Sequence, residues 1–314
     1  MRIHLEQAIT MLKQGKVVAI PTETVYGLAA DATNDAALKQ IYAIKQRPFH
    51  NPLIVHIADM HQVTHWAAEF PPLAQKLAKA FWPGPFTLVL PAKPEVSSIV
   101  RANEPTVALR VPAHPVTQQV LQQSGLSLAA PSANKYTQLS PTCVEHVEAG
   151  LGLDIPVLDG GRCQVGIEST IVSVAGAEWQ ILRHGMISQS AIEQVAGTEA
   201  NTSSSNRPKA PGQHLLHYSP QTPTLLFSHR EDLIRHADQH ADCVALLIGE
   251  GKLPACEYIT LPLQSSSAAE ALYDTLHRLD RLNKSHILIE LPPQTDDWAA
   301  ILDRLSRAGH RTHI

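Results

Sequence analysis

Three segments of this 314-residue sequence place cations, hydroxyls and small residues where a ligand could use them. The first is Pro21-Thr22-Glu23-Thr24-Val25-Tyr26-Gly27-Leu28, which follows a short β-branched run. A hydroxyl-rich loop at the carboxyl end of a strand suits ligand contact in an α/β sheet, with a plain strand-to-helix turn as the alternative. The second runs from Lys45 to His56, with Arg47, Pro48, Asn51 and Pro52 between them. Two cations closing a helix can simply complement its dipole, but a loop stiffened by two prolines also preorganises a phosphate clamp, and we favour the clamp. The third joins Ala129-Ala130-Pro131-Ser132-Ala133-Asn134, then Ser140-Pro141-Thr142, with Gly166-Ile167-Glu168-Ser169-Thr170. Small residues let the backbone approach a ligand and hydroxyls satisfy its oxygens. Arg110 lies inside a predicted strand, a costly place for a charge unless it points to water or an anion meets it.

These segments need a scaffold, and the hydrophobic periodicity supplies one. Helical spacing appears over 5–14, 36–45, 73–81, 115–123, 144–149 and 188–195. Short apolar runs at 17–20, 53–57, 87–90, 107–111, 127–130, 157–158, 170–174 and 179–182 read as strands. Interleaved strands and helices imply an α/β layer fold, and the late strands have little helix between them, so the sheet should be mixed. Residues 198–212 are rich in Ser, Asn and Pro and read as a linker. Beyond them strands at 224–227, 243–248, 258–261 and 287–291 alternate with helices at 231–240, 268–282 and 298–308, a second and smaller α/β domain.

Composition removes several classes. No run of about eighteen apolar residues exists to cross a membrane, and the N-terminus lacks the pattern of a secretory signal. The 4 cysteines are scattered without a C-x-x-C pair, which suits a reducing cytoplasm and no zinc ribbon. Residues 1–200 hold 14 Lys+Arg against 16 Asp+Glu and residues 201–314 hold 11 against 13, so each part carries -2 and neither is a basic nucleic-acid arm. There is no Walker loop, the nearest string being Gly249-Glu250-Gly251-Lys252, and no G-x-S-x-G elbow. The helical pairs His61/His65 and His236/His240 lack an H-E-x-x-H context and are expected on solvated faces, so no protein-held metal is expected.

In order along the chain, PTETVYGL, K-x-R-P-x-x-N-P-L-I-x-H, A-L-R-V-P, P-S-A-N and G-x-E-S-T-I-V resemble the motifs of the YrdC-like family of threonylcarbamoyl-adenylate synthases. The linker and second domain are similar to its long, two-domain branch. The resemblance implies a twisted mixed-sheet YrdC-like domain with a concave electropositive face over 1–200, a linker or lid over 201–222, and a smaller Rossmann-like α/β domain over 223–314. It implies that L-threonine, bicarbonate and ATP give threonylcarbamoyl-AMP and pyrophosphate, for threonylcarbamoyladenosine formation in tRNA.

By that likeness Lys45 and Arg47 would be catalytic. Arg47, Asn51, Thr106, Ser132, Ser140, Arg183, His217 and Tyr218 would hold ATP. Thr24, His56, Arg110, the Ala130 backbone and Ser169 would hold threonine. Arg110 suits a carboxylate because its planar fork can bond both oxygens. Magnesium is expected through the substrate phosphates rather than a protein cage. The segment Pro211-Gly212, followed by His217-Tyr218-Ser219-Pro220, would close over the site. It carries Gln213, His214, Leu215 and Leu216 where the family has a Lys and an Arg, and Arg162 and His184 stand where prolines are usual. Downstream tRNA threonylcarbamoyl-transfer proteins are the expected partners, with direct tRNA binding weak or absent and a cytoplasmic setting. The alternatives are a carbamoyl-transfer maturation factor, whose zinc-finger cysteine sets are missing, and a non-enzymatic RNA-binding module, which the charge balance disfavours.

Overall fold

The computed structural model describes residues 1–175, 178–202, 208–212 and 218–311. The chain forms two compact units, Met1–Tyr136 with Pro141–Gln213, and Thr137–Ser140 with His214–Ile314.

The first unit begins with β1 (Arg2–Ile3), α1 (Leu5–Lys13), β2 (Val18–Ile20), β3 (Gly27–Asp31), α2 (Asp35–Lys45) and β4 (Ile54–His56). After a short 3-10 turn come α3 (Val63–Trp66), α4 (Pro72–Phe81), β5 (Phe86–Pro91), β6 (Thr106–Arg110), α5 (Pro115–Ser124) and β7 (Leu128–Ala129). It closes with α6 (Val144–Leu151), β8 (Val157–Leu158), β9 (Thr170–Ala175), β10 (Glu178–Arg183) and α7 (Gln189–Ala196). The strands make one mixed sheet in the order β1-β8-β2-β3-β7-β4-β6-β5-β9-β10. Pairing is parallel for β4 with β6 and β5 with β9, and antiparallel for β5 with β6 and β9 with β10.

Side chains on a strand alternate between faces, and this alternation sorts the sheet. Val55, Leu88, Leu90, Val107, Leu109, Val172 and Val174 join the main core with residues of α2 and α4. Their neighbours in sequence, Ile54, Val89, Ala108 and Ile171, form a separate apolar floor with Leu182 and Ala210 on the opposite face. The same parity puts His56 beside Ile54, Thr87 beside Val89, and Thr106 and Arg110 either side of Ala108 on that second face.

The helices have local reasons to begin and end where they do. Asn34 caps α2 by accepting the backbone N–H groups of Ala36 and Ala37, each at 3.1 Å. The helix stops after Lys45 because Gln46 adopts a left-handed conformation, φ 53°. Pro115 opens α5 and Gly125, φ 72°, ends it.

The alternative of a plain strand-to-helix turn after β2 falls: Gly27-Leu28-Ala29-Ala30-Asp31 is strand β3, so the hydroxyl-rich loop joins two antiparallel strands. Alanines favour helix in isolation, but here the segment is buried and its backbone pairs with β2 on one side and β7 on the other.

In the second unit β11 (Thr224–Phe227), β12 (Cys243–Ile248), β13 (Glu257–Leu261), β14 (His286–Glu290) and β15 (His310–Arg311) form a parallel sheet in the order β13-β12-β14-β11-β15. Helices α8 (Arg230–Gln239), α9 (Ser265–Asp280) and α10 (Ala299–Ala308) connect the strands. Leu272, Leu276 and Leu279 give α9 its buried stripe.

Because α2 delivers Lys45, its cap is a measurable lever. Asn34→Ala should cost about 1 kcal/mol and lower the melting temperature by about 2–4 °C. Thermal unfolding checks it, and an unchanged midpoint would contradict the cap's role.

Candidate active site

Burying a charge is expensive unless something opposite or polar meets it. Among the described residues of the first unit, the buried charged side chains are Lys45, Arg47, Arg110 and Arg183 against Glu23 and Glu168. All but Arg183 lie within a motif segment, Arg183 donates to Ser169 of one, and the balance, four cations to two carboxylates, is electropositive.

Arg110 is the centre of one group. It sits in β6 opposite His56 of β4, and it is 4% exposed. Its Nη2 donates to Glu23 Oε1 at 2.6 Å, its Nη1 to Thr24 Oγ1 at 2.9 Å and its Nε to the Gly84 carbonyl at 3.2 Å. The anion that sequence reasoning required therefore includes the protein's own Glu23. Thr22 steadies this loop: its hydroxyl bonds Thr24 Oγ1 at 2.8 Å and donates to the Val25 carbonyl at 2.6 Å. His56 is 2% exposed and its Nδ1 has no hydrogen-bond partner among the described residues. Burial first, and the Arg110 cation second, push its pKa down to about 3, so the imidazole is neutral at physiological pH.

Lys45 is the centre of a second group. The ammonium donates to the carbonyls of Ser132 at 2.5 Å and Asn134 at 2.6 Å, which ties α2 to the P-S-A-N turn. Burial and then the Arg47 charge draw its pKa well below the ordinary lysine range, with Glu168 opposing them. That turn is fastened on its other side, since Ser132 pairs with Gly27 and the Ala133 N–H donates to the Tyr26 carbonyl at 2.7 Å. Ala130 donates its N–H to the Ile54 carbonyl at 3.1 Å, placing its backbone beside β4. Arg47 curls over its own loop, donating to the carbonyls of Asn51 at 3.3 Å and Pro52 at 2.8 Å. Its guanidinium also lies 5.9 Å from the centre of the Tyr136 ring, and Asn51 Nδ2 donates to the Tyr136 hydroxyl at 3.5 Å.

Arg183 makes a third group. Its Nη2 donates to Ser169 Oγ at 3.1 Å and its Nε to the Ser169 carbonyl at 3.1 Å, while Ser169 Oγ bonds Thr87 Oγ1 at 2.8 Å. The segment 208–212 lies on this face: Ala210 joins the apolar floor and the Pro211 carbonyl accepts from Arg183 Nη1 at 3.3 Å. Thr106 opens β6, four residues before Arg110. Ser140 and Tyr218 belong to the second unit. There the Ser140 carbonyl accepts from His277 Nε2 at 3.2 Å, and Tyr218 is buried 6.0 Å from the Tyr273 ring with Arg304 stacked at 5.0 Å. His217 lies outside the described residues.

Four participants escaped the sequence reading as site residues: Thr22, Glu23, Thr87 and Tyr136. Glu23 had a usable signal, because a strand-borne Arg110 asks for an anion and Glu23 is the carboxylate within the first motif. Thr87 and Tyr136 had none, since register and loop return bring them in.

Among the described residues no helix is long and apolar enough to cross a membrane. The Sua5/YciO/YrdC family model, described as "Telomere recombination", matches residues 10–185, and the model "Threonylcarbamoyl-AMP synthase, C-terminal domain" matches 187–309. The chain is similar to threonylcarbamoyl-AMP synthase of Bacillus subtilis, 39% identical over 98% of this chain and 93% of the relative. It is also similar to that of Pyrococcus abyssi, 36% identical over 97% and 94%. A crystal structure of P. abyssi Sua5 complexed with L-threonine superposes with a TM-score of 0.89 at 33% identity, covering 99% of this chain and 98% of that one.

The neutral His56 has a pH consequence. The native ring stays unprotonated down to about 3 while the unfolded ring titrates near 6.5, so the unfolded chain binds more protons between these values. Stability from this group is therefore present above 6.5 and falls as pH drops through that window. Replacing His56 by Gln should flatten the acid limb of a stability-against-pH curve by up to about 1.4 kcal/mol per pH unit. Parallel limbs for variant and parent in denaturant titrations would contradict it.

Proposed function

The chain belongs to the threonylcarbamoyl-AMP synthase family, in the form that joins a Sua5/YciO/YrdC domain to the synthase C-terminal domain, and from that premise we propose how its residues divide the reaction. Its activity is that of a nucleotidyltransferase that uses ATP and L-threonine to make threonylcarbamoyl-AMP for tRNA modification. The observation that carries the assignment to this site is the set of buried cations in the first unit, three within motif segments and Arg183 bonded to Ser169 of another, outnumbering the buried carboxylates.

In our reading bicarbonate supplies the carbon. The threonine amine adds to it with loss of water, giving a carbamate. One carbamate oxygen then attacks the α-phosphorus of ATP and pyrophosphate leaves. Such a displacement asks for positioning and charge neutralisation more than for covalent help from the protein. Arg110 receives the threonine carboxylate, with Thr24, the Ala130 backbone, Ser169 and neutral His56 around the rest of the amino acid. A neutral imidazole can accept a hydrogen bond from the amine, which an imidazolium cannot. Arg47, Asn51, Thr106, Ser132 and Arg183 face the nucleotide, and Lys45 acts by holding the Ser132–Asn134 turn that meets it. Ser140, His217 and Tyr218 are proposed for ATP on the family likeness alone.

Magnesium fits as an ion carried by the substrate. Both Glu23 oxygens already accept hydrogen bonds, from Arg110 and from the Ala113 N–H, so this carboxylate is committed elsewhere. Bound to the phosphate oxygens, the ion would disperse their charge.

We assign residues 1–200 to catalysis, 201–222 to a linker whose segment 208–212 covers part of the catalytic face, and 223–314 to the second α/β domain. The packing of Ala210 and Pro211 on the catalytic face supports the covering role. A cytoplasmic setting, transfer of the product to downstream tRNA threonylcarbamoyl-transfer proteins, and weak or absent direct tRNA binding follow from the same reading, with the -2 balance of each part in support.

Two experiments test this. Pyrophosphate release from labelled ATP should require both threonine and bicarbonate; release indifferent to threonine would overturn the assignment. By calorimetry, Arg47→Ala should weaken ATP binding, whereas Arg110→Ala should weaken threonine binding about 10- to 100-fold, the range for a lost charged hydrogen bond. Equal loss of ATP binding in both variants would refute the partition.

A further inference from the structure

A guanidinium offers five N–H donors. Among the described residues three of the Arg110 donors are engaged, one each to Gly84, Thr24 and Glu23, which leaves one N–H on each terminal nitrogen for a ligand. A planar fork with one donor remaining on each terminal nitrogen is a two-point receptor for a carboxylate. Its usefulness depends on its orientation, and Glu23 is the charged group that sets it.

Glu23 is itself held from three directions. Oε1 accepts from Arg110 Nη2 at 2.6 Å, and Oε2 accepts from the Ala113 N–H at 3.1 Å, just beyond the end of β6. The Glu23 carbonyl accepts from the Val165 N–H at 2.7 Å, on the approach to the G-x-E-S-T segment. The residue is 6% exposed, so its charge is little screened by water. One side chain thus ties the first motif loop to the exit of the strand that carries Arg110.

We propose that Glu23 is a positioning residue for threonine recognition: it aims the two remaining Arg110 donors at the amino-acid carboxylate and keeps the guanidinium compensated while no substrate is bound. This rests on the reading that Arg110 receives that carboxylate. Glu23 acts through Arg110 and needs no contact with threonine or ATP. The pair also makes the pocket selective for an amino acid with a free carboxylate, because a ligand lacking one leaves two buried donors unanswered.

The test compares Glu23→Gln and Glu23→Asp with the parent full-length chain in threonine-dependent pyrophosphate release, with thermal unfolding of each. Gln keeps the volume and an acceptor but removes the charge; Asp keeps the charge but shortens the reach. Glu23→Gln should raise the threonine KM about tenfold, the factor for about 1.4 kcal/mol of lost charge assistance, with the ATP KM within about twofold of the parent. Glu23→Asp should fall between the two. Preference for threonine over threoninol, which lacks the carboxylate, should shrink by a similar factor in Glu23→Gln. In an Arg110→Lys background the Glu23→Gln change should add less than about twofold, because its effect runs through the fork. An unchanged threonine KM, equal rises in both KM values, an unaltered threoninol preference, or effects that simply multiply in the double variant would each overturn the proposal. Should Glu23→Gln fail to fold, Glu23→Asp carries the same KM and threoninol comparisons. If the parent chain itself releases pyrophosphate without threonine, the failure belongs to the proposed function rather than to Glu23.

Discussion

A buried arginine at the carboxyl end of an inner strand is the constraint around which this molecule is arranged. Left alone, the Arg110 charge would cost several kcal/mol. The protein meets it with Glu23, a threonine hydroxyl and a backbone carbonyl, and those contacts recruit three stretches distant in sequence: the loop after β2, the turn at Gly84 and the exit of β6. Glu23 balances the charge, but among the described residues the hydrogen bonding is incomplete, with two N–H groups left over. In the proposed reading, in which Arg110 meets the threonine carboxylate, that leaves the site stable before the amino acid binds and still able to take its anion.

Strand parity extends that arrangement across the sheet. Within β4, β5, β6 and β9, one set of alternating residues fills the main core and the other faces the apolar floor and the polar cluster. A one-residue slip of β6 would turn Arg110 into the core and Leu109 out of it. The core residues therefore fix the register on which the site depends. Lys45 does comparable work from the end of α2: by bonding two carbonyls of the P-S-A-N turn it converts the reach of a helix into the position of a loop.

Much of this was legible in the sequence, and the reasons differ by residue. Strands such as Cys243–Ile248 and helices such as Pro115–Ser124 announce themselves by periodicity and by Pro and Gly punctuation. Strand β3 does not, because Gly-Leu-Ala-Ala-Asp has no alternation when both of its faces are buried. Two-residue strands such as β1 and β15 are too short to leave any pattern. The motif cations could be listed from their types, but their internal partners could not. Arg47 engages the carbonyls of its own loop and Arg183 engages Ser169, contacts set by tertiary approach. The Glu23–Arg110 pair lies between: the need for an anion is visible in the sequence, the choice of Glu23 only in three dimensions.

The claim under all of this is that the buried cations of the first unit converge on one substrate site with Arg110 at its amino-acid end. A crystal structure of this chain grown with L-threonine and a non-hydrolysable ATP analogue tests it most directly. The account predicts the threonine carboxylate within about 2.7–2.9 Å of both Arg110 terminal nitrogens while Glu23 keeps its contact. A carboxylate bound elsewhere, with Arg110 answered by protein groups alone, would contradict it.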